Sequence, residues 1–395
     1  MKKINLLALS LSCFLVFTQV SGQETKTPKV DGYKFTEIKT NPATPVKDQY
    51  RSGTCWSFAT TSFVESELLR LGYDITDISE MFFVYHAFID KAYRYIRLHG
   101  SSNFGPGGQA HDVMNVIKKY GLVTESKFPG LLKGEDKHKH GELDAALKAY
   151  LDVVISNKDG KLSQVWPTAY VALLNAYLGD AGSISAEKSS KKQYSRFNPD
   201  DYVELTSYNH HPFFTRFDLE VPDNWSHDSY YNLPVDDLVS VISYAINSGY
   251  TVCWDGDVSD KGFSHSNGVA IIPEKDITAM EGTERARWEK LSEKEKNSEL
   301  YSFKEPGSEK KISQEMRQDA FDNFQATDDH LMHFTGMVKD QNGTIYYVTK
   351  NSWAANSNEW GGYLNISEAY VRLNTIAVML HKDAIPPALK KQLKL

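Results

Sequence analysis

The chain contains little cysteine: three residues among 395. Exported proteins that depend on disulfides normally carry more cysteines, in even number. If a leader containing Cys13 is removed, only Cys55 and Cys253 remain. A bridge between these two would use up the one thiol that lies in a chemically informative segment. We therefore expect the hydrophobic core, and not disulfides, to stabilise the fold.

The sequence also lacks an excess of positive charge. Its formal net charge is -7 at pH 7, with 44 Lys and Arg residues against 51 Asp and Glu residues. Proteins that bind nucleic acid usually carry a basic patch, so we expect no nucleic-acid partner. A hydrophobic content of 41% and a charged content of 24% are ordinary for a globular protein.

A long apolar run occurs only near the start of the chain. Lys2 and Lys3 precede an apolar stretch over residues 6–20, and small residues follow at 20–22. This order is typical of a secretory signal peptide, and the run is too short for a membrane span. We expect residues 1–22 to be a signal peptide of a bacterial protein that is periplasmic or secreted, with lipidation at Cys13 left open.

Apolar periodicity predicts helices in the first part of the chain and strands in the last third. Helices are predicted over residues 55–71, 79–98, 109–120, 142–156, 165–178 and 235–249. Strands are predicted at residues 250–254, 331–338, 344–350, 362–366 and 375–380. This division indicates an α+β fold with a helical N-terminal lobe, a β-rich C-terminal lobe and a cleft between them.

Residues 23–395 are expected to form one domain, because neither an internal repeat nor a low-complexity linker divides them. The helical lobe is predicted at about residues 45–250, with an irregular insertion at about 126–235. The β-rich lobe follows at about residues 250–385. It carries a charged helical insertion at about 278–325, and residues 386–395 form a C-terminal tail.

Cys55 follows Gly53 closely at the start of a predicted helix, and Gln49 lies six residues upstream. Exposed backbone N–H groups and the positive end of a helix dipole stabilise a thiolate at such a position. A thiolate is the reactive nucleophile, whereas a thiol is a weak one. The alternative is a buried, inert cysteine that packs as a small hydrophobe. This segment alone leaves both interpretations open.

Catalysis by a cysteine also requires a base and a group that orients the base. His330 and His333 are the candidate bases, and their spacing places them on opposite faces of a strand. The next predicted strand ends at Asn351, two residues before Trp353. A hairpin through the turn at 342–343 would bring residues 330 and 351 to the same end. Asn351 could then accept a hydrogen bond from the imidazole, and Trp353 could shield that bond from water.

These segments resemble the papain-type cysteine peptidases, in which Gln, Cys, His and Asn follow one another along the chain. Within that clan the sequence is most similar to the bleomycin hydrolase/aminopeptidase C family. Ser52 replaces a cysteine that usually precedes the nucleophile by three residues, as in the cysteine-poor branch. Residues 106–109, 119–123 and 128–129 resemble the cleft segment of this family. Residues 314–323 resemble its charged insertion before the histidine.

The resemblance implies a papain-like two-lobe fold and a role for each matching residue. Cys55 is the expected nucleophile, and His330 the general base and acid. Asn351 orients the histidine, and Gln49 stabilises the oxyanion together with the backbone N–H of Cys55. His330 is preferred to His333 because it follows an aspartate and keeps the family spacing to a downstream glycine.

Gly107 and Gly108 are expected to bind substrate, because a backbone without Cβ atoms allows the substrate backbone to pair with it. The alternative is a plain turn before a helix. The implied reaction is hydrolysis of peptide bonds through a thioester, with peptides as substrates and with neither a cofactor nor a metal. The family also implies a homo-oligomer, a hexamer.

In the resembling family, C-terminal residues lie in the cleft, and the terminal carboxylate restricts cleavage to N-terminal residues. The present chain continues for several residues beyond Pro386-Pro387. We therefore predict an aminopeptidase, with an endopeptidase of the same fold as the alternative. A non-catalytic peptide-binding or scaffolding protein on the same frame is the alternative from a different functional class.

Two pairs of histidines are not expected to bind metal. His138 and His140 lie in a basic segment without acidic or cysteine residues at metal-ligand spacing. His210 and His211 also have no ligand partner in the surrounding sequence.

Overall fold

The computed structural model describes residues 32–131, 134–275, 277 and 280–395. The predicted signal peptide lies outside these described residues. The helices are α1 (Cys55–Arg70), α2 (Glu80–Arg97), α3 (Ala110–Tyr120), α4 (Gly141–Ile155), α5 (Trp166–Leu178), α6 (Glu187–Gln193), α7 (Val235–Asn247), α8 (Gly282–Lys290), α9 (Glu293–Leu300), α10 (Gln314–Asp322), α11 (Glu368–Asn374) and α12 (Pro387–Leu393).

The strands belong to one eleven-stranded sheet. They are β1 (Thr36–Thr40), β2 (Tyr202–Thr206), β3 (Arg216–Asp218), β4 (Ser229–Asn232), β5 (Val252–Gly256), β6 (Phe263–Ser264), β7 (Val269–Ala270), β8 (His330–Lys339), β9 (Ile345–Lys350), β10 (Tyr363–Ser367) and β11 (Thr375–His381). Their order in the sheet is β3-β4-β2-β11-β5-β8-β9-β10-β7-β6, and β1 pairs with β8.

The predicted helices of the first part are present, with ends within about two residues of the prediction, because local signals define them. Ser79 caps α2 by accepting a hydrogen bond from the Phe82 N–H at 3.0 Å. Asp112 accepts from the Gln109 N–H at 2.9 Å at the start of α3. Gly121 ends this helix with a φ of 85°, a conformation that glycine adopts without steric cost.

Strands β2, β3 and β4 lie in residues that the sequence pattern assigned to an irregular insertion. They are three to five residues long. β2 pairs with β11 across a long stretch of sequence, with Leu205 opposite Val378. Short strands that depend on such distant partners leave little local pattern, which explains why periodicity did not reveal them. The bounds of the two lobes stay a prediction.

The sheet is covered on both faces. Cys253 and Leu331 point to one face and belong to the core built with α1 and α2. Trp254 and Met332 point to the other face and belong to the core built with α7. Because α1 packs directly against β5 and β8, the first residue of α1 lies beside the strands of the sheet.

Residues 386–395 lie on the α7 face, with Leu393 of α12 buried in that core. In β11, Thr375 pairs with Gly256, whereas His381 pairs with Tyr202 at the other end. At about 3.3 Å per residue, the chain leaves β11 about 20 Å from Gly256. These residues therefore do not enter the region around Cys55, unlike the tail that the family resemblance implies.

Among the described residues, none of the helices combines the length and the apolar character that crossing a membrane requires.

Candidate active site

Cys55 is the first residue of α1 and has a free, partly exposed thiol. The next residue, Trp56, donates from its indole N–H to the Pro106 carbonyl oxygen at 2.9 Å, which fixes the start of the helix against the loop that precedes α3. The backbone N–H of Leu331 contacts the Cys55 sulfur. The thiol thus lies directly beside the first residues of β8.

His330 and Asn351 are brought together as the hairpin predicts. The His330 Nε2 atom lies 2.8 Å from the Asn351 Oδ1 atom. The same oxygen accepts the Ser352 N–H at 2.7 Å, which identifies it as the oxygen of the amide. An oxygen can only accept, so His330 donates from Nε2 and carries its free lone pair on Nδ1. This tautomer leaves Nδ1 available as a base.

The ring of Trp353 covers the histidine, with centroids 4.9 Å apart. His265 contacts the same tryptophan in an edge-on arrangement, also with centroids 4.9 Å apart. Its Nδ1 atom is 3.4 Å from the Asn351 Nδ2 atom. His265 was not predicted as a site residue. It lies far from the other site residues in sequence, so no local spacing pointed to it.

Gln49 is buried, and its side-chain oxygen accepts from the Ser352 hydroxyl at 2.6 Å. Its Nε2 atom donates one hydrogen to the Ser52 carbonyl oxygen at 3.1 Å. A primary amide has two such hydrogens, so a second remains for another acceptor. The backbone N–H of Gln49 also donates to the Ser352 carbonyl oxygen at 2.8 Å. These contacts join the Gln49 loop to the segment that follows β9.

The ionisation of the two central groups differs from the sequence-based expectation of a stabilised thiolate. Burial, together with the charges of Asp223, Asp255 and Asp328, raises the pKa of Cys55 to about 12. Burial also lowers the pKa of His330 to about 4. A neutral thiol beside a neutral imidazole is therefore the resting state. Desolvation and neighbouring carboxylates outweigh the helix terminus.

Gly107 and Gly108 pack closely against other parts of the chain. A Cβ atom on Gly107 would lie 1.8 Å from the Asp223 Oδ2 atom, and one on Gly108 would lie 2.7 Å from the Asp112 Oδ2 atom. The ammonium group of Lys91 donates to the Gly107 carbonyl oxygen. The packing gives a reason for both glycines that is independent of substrate. Their role in substrate binding stays a prediction.

His333 and Cys253 lie opposite each other in the sheet and are both fully buried. The His333 Nδ1 atom is 2.9 Å from the hydroxyl of Ser62 in α1. Cys253 contacts the hydroxyl of Thr60 in the same helix at 3.5 Å. Both side chains thus face α1, and His333 is core-facing, which was the alternative to a catalytic role. Cys253 forms no disulfide with Cys55.

The histidine pair at 210–211 has a partner that the sequence spacing missed. The Nε2 atoms of His210 and His211 each lie 3.1 Å from an oxygen of Glu220. Gln318 accepts the Asn209 N–H with its side-chain oxygen and donates from Nε2 to the His210 Nδ1 atom.

That contact places the proton of the His210 ring on Nε2, where it donates to Glu220. A histidine that binds metal through Nε2 usually donates from Nδ1. One ligand atom from each of His210, His211 and Glu220 nevertheless lies within 4.8 Å of the others, so the three residues could hold a metal ion. The expectation that the histidine pair binds no metal stays a prediction.

His138 and His140 are buried, with exposed fractions of 9% and 4%, although they lie in a basic segment. Burial lowers the pKa of each to about 4, so both are neutral.

Parts of the chain are similar to known proteins in sequence or in fold. Residues 31–165 match the family described as papain family cysteine protease. Two rice proteins named senescence-specific cysteine protease SAG39, from Oryza sativa subsp. indica and subsp. japonica, are 29% identical to this chain over 124 residues. The match covers 31% of this chain and 33% of each rice protein, so the chain spans about a third of the length of these curated relatives.

The crystal structure of PepW from Lactobacillus rhamnosis HN001 is similar to the whole fold. It has a TM-score of 0.68 and 17% sequence identity, and the similarity covers 91% of this chain and 84% of that chain. At this identity the likeness concerns the fold. The predicted α+β fold and the resemblance to papain-like cysteine peptidases are both confirmed, and the chain is papain-like in its fold and, over residues 31–165, in its sequence.

Proposed function

We propose that this protein is a cysteine peptidase that hydrolyses peptide bonds, with Cys55 as the nucleophile and His330 as the base. The observation that carries the proposal is the 2.8 Å hydrogen bond between His330 Nε2 and Asn351 Oδ1. His330 immediately precedes Leu331, and the backbone N–H of Leu331 contacts the Cys55 sulfur. A nucleophile, a base and an orienting group in this order are the requirements of nucleophilic catalysis.

The proposed reaction begins when His330 Nδ1 takes the proton of the Cys55 thiol and the sulfur attacks the carbonyl carbon of the scissile peptide bond. The free side-chain hydrogen of Gln49 and the backbone N–H of Cys55 stabilise the negative charge that develops on the carbonyl oxygen. A donor of this kind lowers the activation barrier by about 3–4 kcal/mol. His330 then protonates the departing amine, and water hydrolyses the thioester.

Within this reaction class we propose aminopeptidase action, which the resemblance to the bleomycin hydrolase/aminopeptidase C family supports. Endopeptidase action is the second candidate. The placement of residues 386–395 on the α7 face favours it, because these residues do not block the region beside Cys55. The distinction therefore depends on whether another part of the chain selects a free amino terminus.

The test compares the wild-type protein with Cys55→Ala on a short peptide with a free amino terminus and on its N-acetylated form. We expect the wild type to cleave the free peptide faster and Cys55→Ala to be inactive. Cys253→Ala is the matched control, because Cys253 is buried on the same face of the sheet, and it should retain activity. Equal cleavage by Cys55→Ala contradicts the peptidase proposal. Equal cleavage of both peptides by the wild type contradicts aminopeptidase action.

We also propose that the protein is exported from a bacterial cell and forms a homo-oligomer. The lysines and apolar run of residues 1–22 support export, and the family resemblance supports a hexamer. Cell fractionation of the full chain and of a chain without residues 2–22 tests the first proposal. Light scattering tests the second, since a monomeric mass at micromolar concentration contradicts it.

A further inference from the structure

Three aspartates lie near Cys55 that the proposed reaction does not use. Asp255 of β5 lies opposite Leu331 of β8. Side chains directly opposite each other in an antiparallel pair share a face. Cys253, two residues earlier in β5, contacts Thr60 of α1, so this is the face that meets α1. Asp255 therefore points to the α1 side, at the level of the Leu331 N–H that contacts the Cys55 sulfur.

Asp328 and Asp223 form the more open part of this group. Both are partly exposed, whereas Asp255 is 3% exposed. Gln109 donates from Nε2 to the Asp328 Oδ2 atom at 2.8 Å. Asn103 donates from Nδ2 to the Asp223 Oδ1 atom at 3.0 Å. Amide donors thus hold the two outer carboxylates in place.

Asp255 has unsatisfied hydrogen-bonding capacity. Among the described residues, none forms a hydrogen bond of ordinary geometry with either of its carboxylate oxygens, although both atoms are buried. Gln109 and Asp328 contact Asp255 only outside that geometry. A buried carboxylate with so little hydrogen bonding is costly. The charges that act most strongly on Asp255 come from Asp328 and Asp223, and both are negative. Asp255 is therefore short of both hydrogen-bond donors and positive charge, whereas the Lys91 ammonium partly offsets the charge of Asp223.

The pKa values of Asp255 and Asp328 reflect this shortage of hydrogen-bond donors and positive charge. Burial and the charge of Asp328 raise the pKa of Asp255 well above its usual range. Burial and the charge of Asp223 raise the pKa of Asp328 to about 7. Both carboxyl groups thus resist ionisation without a cation. An ammonium group bound against the two side chains would supply three donors and one positive charge, and would favour their charged forms.

We propose that Asp255 and Asp328 bind the protonated α-amino group of a peptide substrate beside Cys55. This inference rests on the proposed peptidase function and specifies its substrate class, peptides with a free amino terminus. The α-nitrogen of an amino acid lies only about 2.5 Å from the carbonyl carbon of the same residue. A lysine ammonium is separated from its backbone by four carbons. A site this close to the attacking sulfur therefore fits the α-amine of the residue being released.

The position of the two aspartates has a consequence for the nucleophile. Asp223, Asp255 and Asp328 all oppose ionisation of Cys55. A bound ammonium offsets their charge, so a substrate with a free amine lowers the pKa of Cys55 and favours the thiolate beside His330. A blocked peptide binds without this effect. Selection of the free amino terminus is thus coupled to activation of the thiol.

The test uses Asp255→Asn and Asp328→Asn in the full chain, with Asp159→Asn, an exposed loop residue, as the matched control. The substrates are aminocoumarin amides of alanine, N-acetylalanine and N-acetyllysine. A second measurement is the rate at which iodoacetamide, a neutral reagent, alkylates Cys55 without substrate. Thermal unfolding of each variant reports whether the fold is retained.

We expect each variant to lower kcat/KM for the free alanine amide by about 10-fold to 100-fold, the range of a hydrogen bond to a charged group. We also expect Asp328→Asn to be alkylated faster than the wild type, because negative charge near the thiol is lost. A disturbed fold would not raise the rate of Cys55 alkylation while lowering the rate of cleavage of the alanine amide. An unchanged ratio of free to acetylated substrate, or a loss confined to the lysine amide, overturns the proposal. Cleavage of no amide by the wild type overturns the peptidase function itself.

Discussion

The Asn351 side-chain oxygen accepts hydrogen bonds from both His330 Nε2 and the Ser352 N–H, and these two contacts determine which nitrogen of His330 can act as a base. Asn351→Ala removes the acceptor and lets the ring rotate or change tautomer. We expect kcat to fall by at least about tenfold, with a smaller change in KM, because the base is no longer oriented.

Asn351→Asp is the informative companion to this variant. The carboxylate keeps an acceptor for His330 but adds a negative charge, which raises the pKa of the imidazole from its present value of about 4. The acid side of the pH profile of kcat/KM should therefore lie at higher pH in Asn351→Asp than in the wild type. An unshifted profile would show that residue 351 does not act on the histidine.

His265 supports the same amide from its other end, with Nδ1 at 3.4 Å from Asn351 Nδ2. We expect His265→Ala to lower kcat about two- to tenfold, the range of one neutral hydrogen bond, and to leave KM nearly unchanged. His227, a histidine in an exposed pair with Asp218, provides the control, and His227→Ala should have no effect on kcat. A rise in KM without a fall in kcat would instead place His265 in substrate binding.

Alkylation of Cys55 by iodoacetamide should depend on pH in an unusual way. The pKa of the thiol is raised to about 12, so only a small fraction is thiolate at neutral pH. The alkylation rate should rise about tenfold for each step of one pH unit from 7 to 10, without a plateau. An ordinary thiol levels off above its pKa of about 8.5. A plateau below pH 9 would contradict the raised pKa of the unliganded protein.

Gly107 and Gly105 form a matched pair in the loop before α3. A Cβ atom on Gly107 would meet the Asp223 carboxylate at 1.8 Å, whereas no atom of the described residues lies within 4 Å of one on Gly105. Gly107→Ala should therefore displace the loop, reduce kcat/KM and lower the free energy of unfolding by about 1–3 kcal/mol. Gly105→Ala should change neither by a measurable amount. Denaturant unfolding and peptide hydrolysis check both expectations.

The hairpin of β8 and β9 was predictable from sequence because its signals are local. Alternating apolar residues mark the strands, and an Asn342-Gly343 turn joins them. Once that hairpin is drawn, residues 330 and 351 must meet at its open end. The start of α1 at Cys55 follows in the same way from periodicity and a nearby glycine. For these residues the local pattern and the tertiary structure agree.

The acidic group around Asp255 could not be predicted in this way. Its members come from β5, from the residue two positions before His330 and from a loop near residue 223, and only the packed structure brings them together. Burial, together with the charges of these aspartates, reverses the expected ionisation of Cys55. Helix position is visible in a sequence, whereas burial and the charges of distant residues are not. The contact between His265 and Asn351 was missed for the same reason.

The placement of α12 has a practical consequence for work with this protein. Leu393 anchors this helix on the α7 face of the sheet, whereas Cys55 lies on the α1 face. A fluorescent protein, an affinity handle or a surface linker joined after Leu395 would therefore extend from the side remote from the thiol. The protein could be immobilised through that end with its substrate entrance facing the bulk solution.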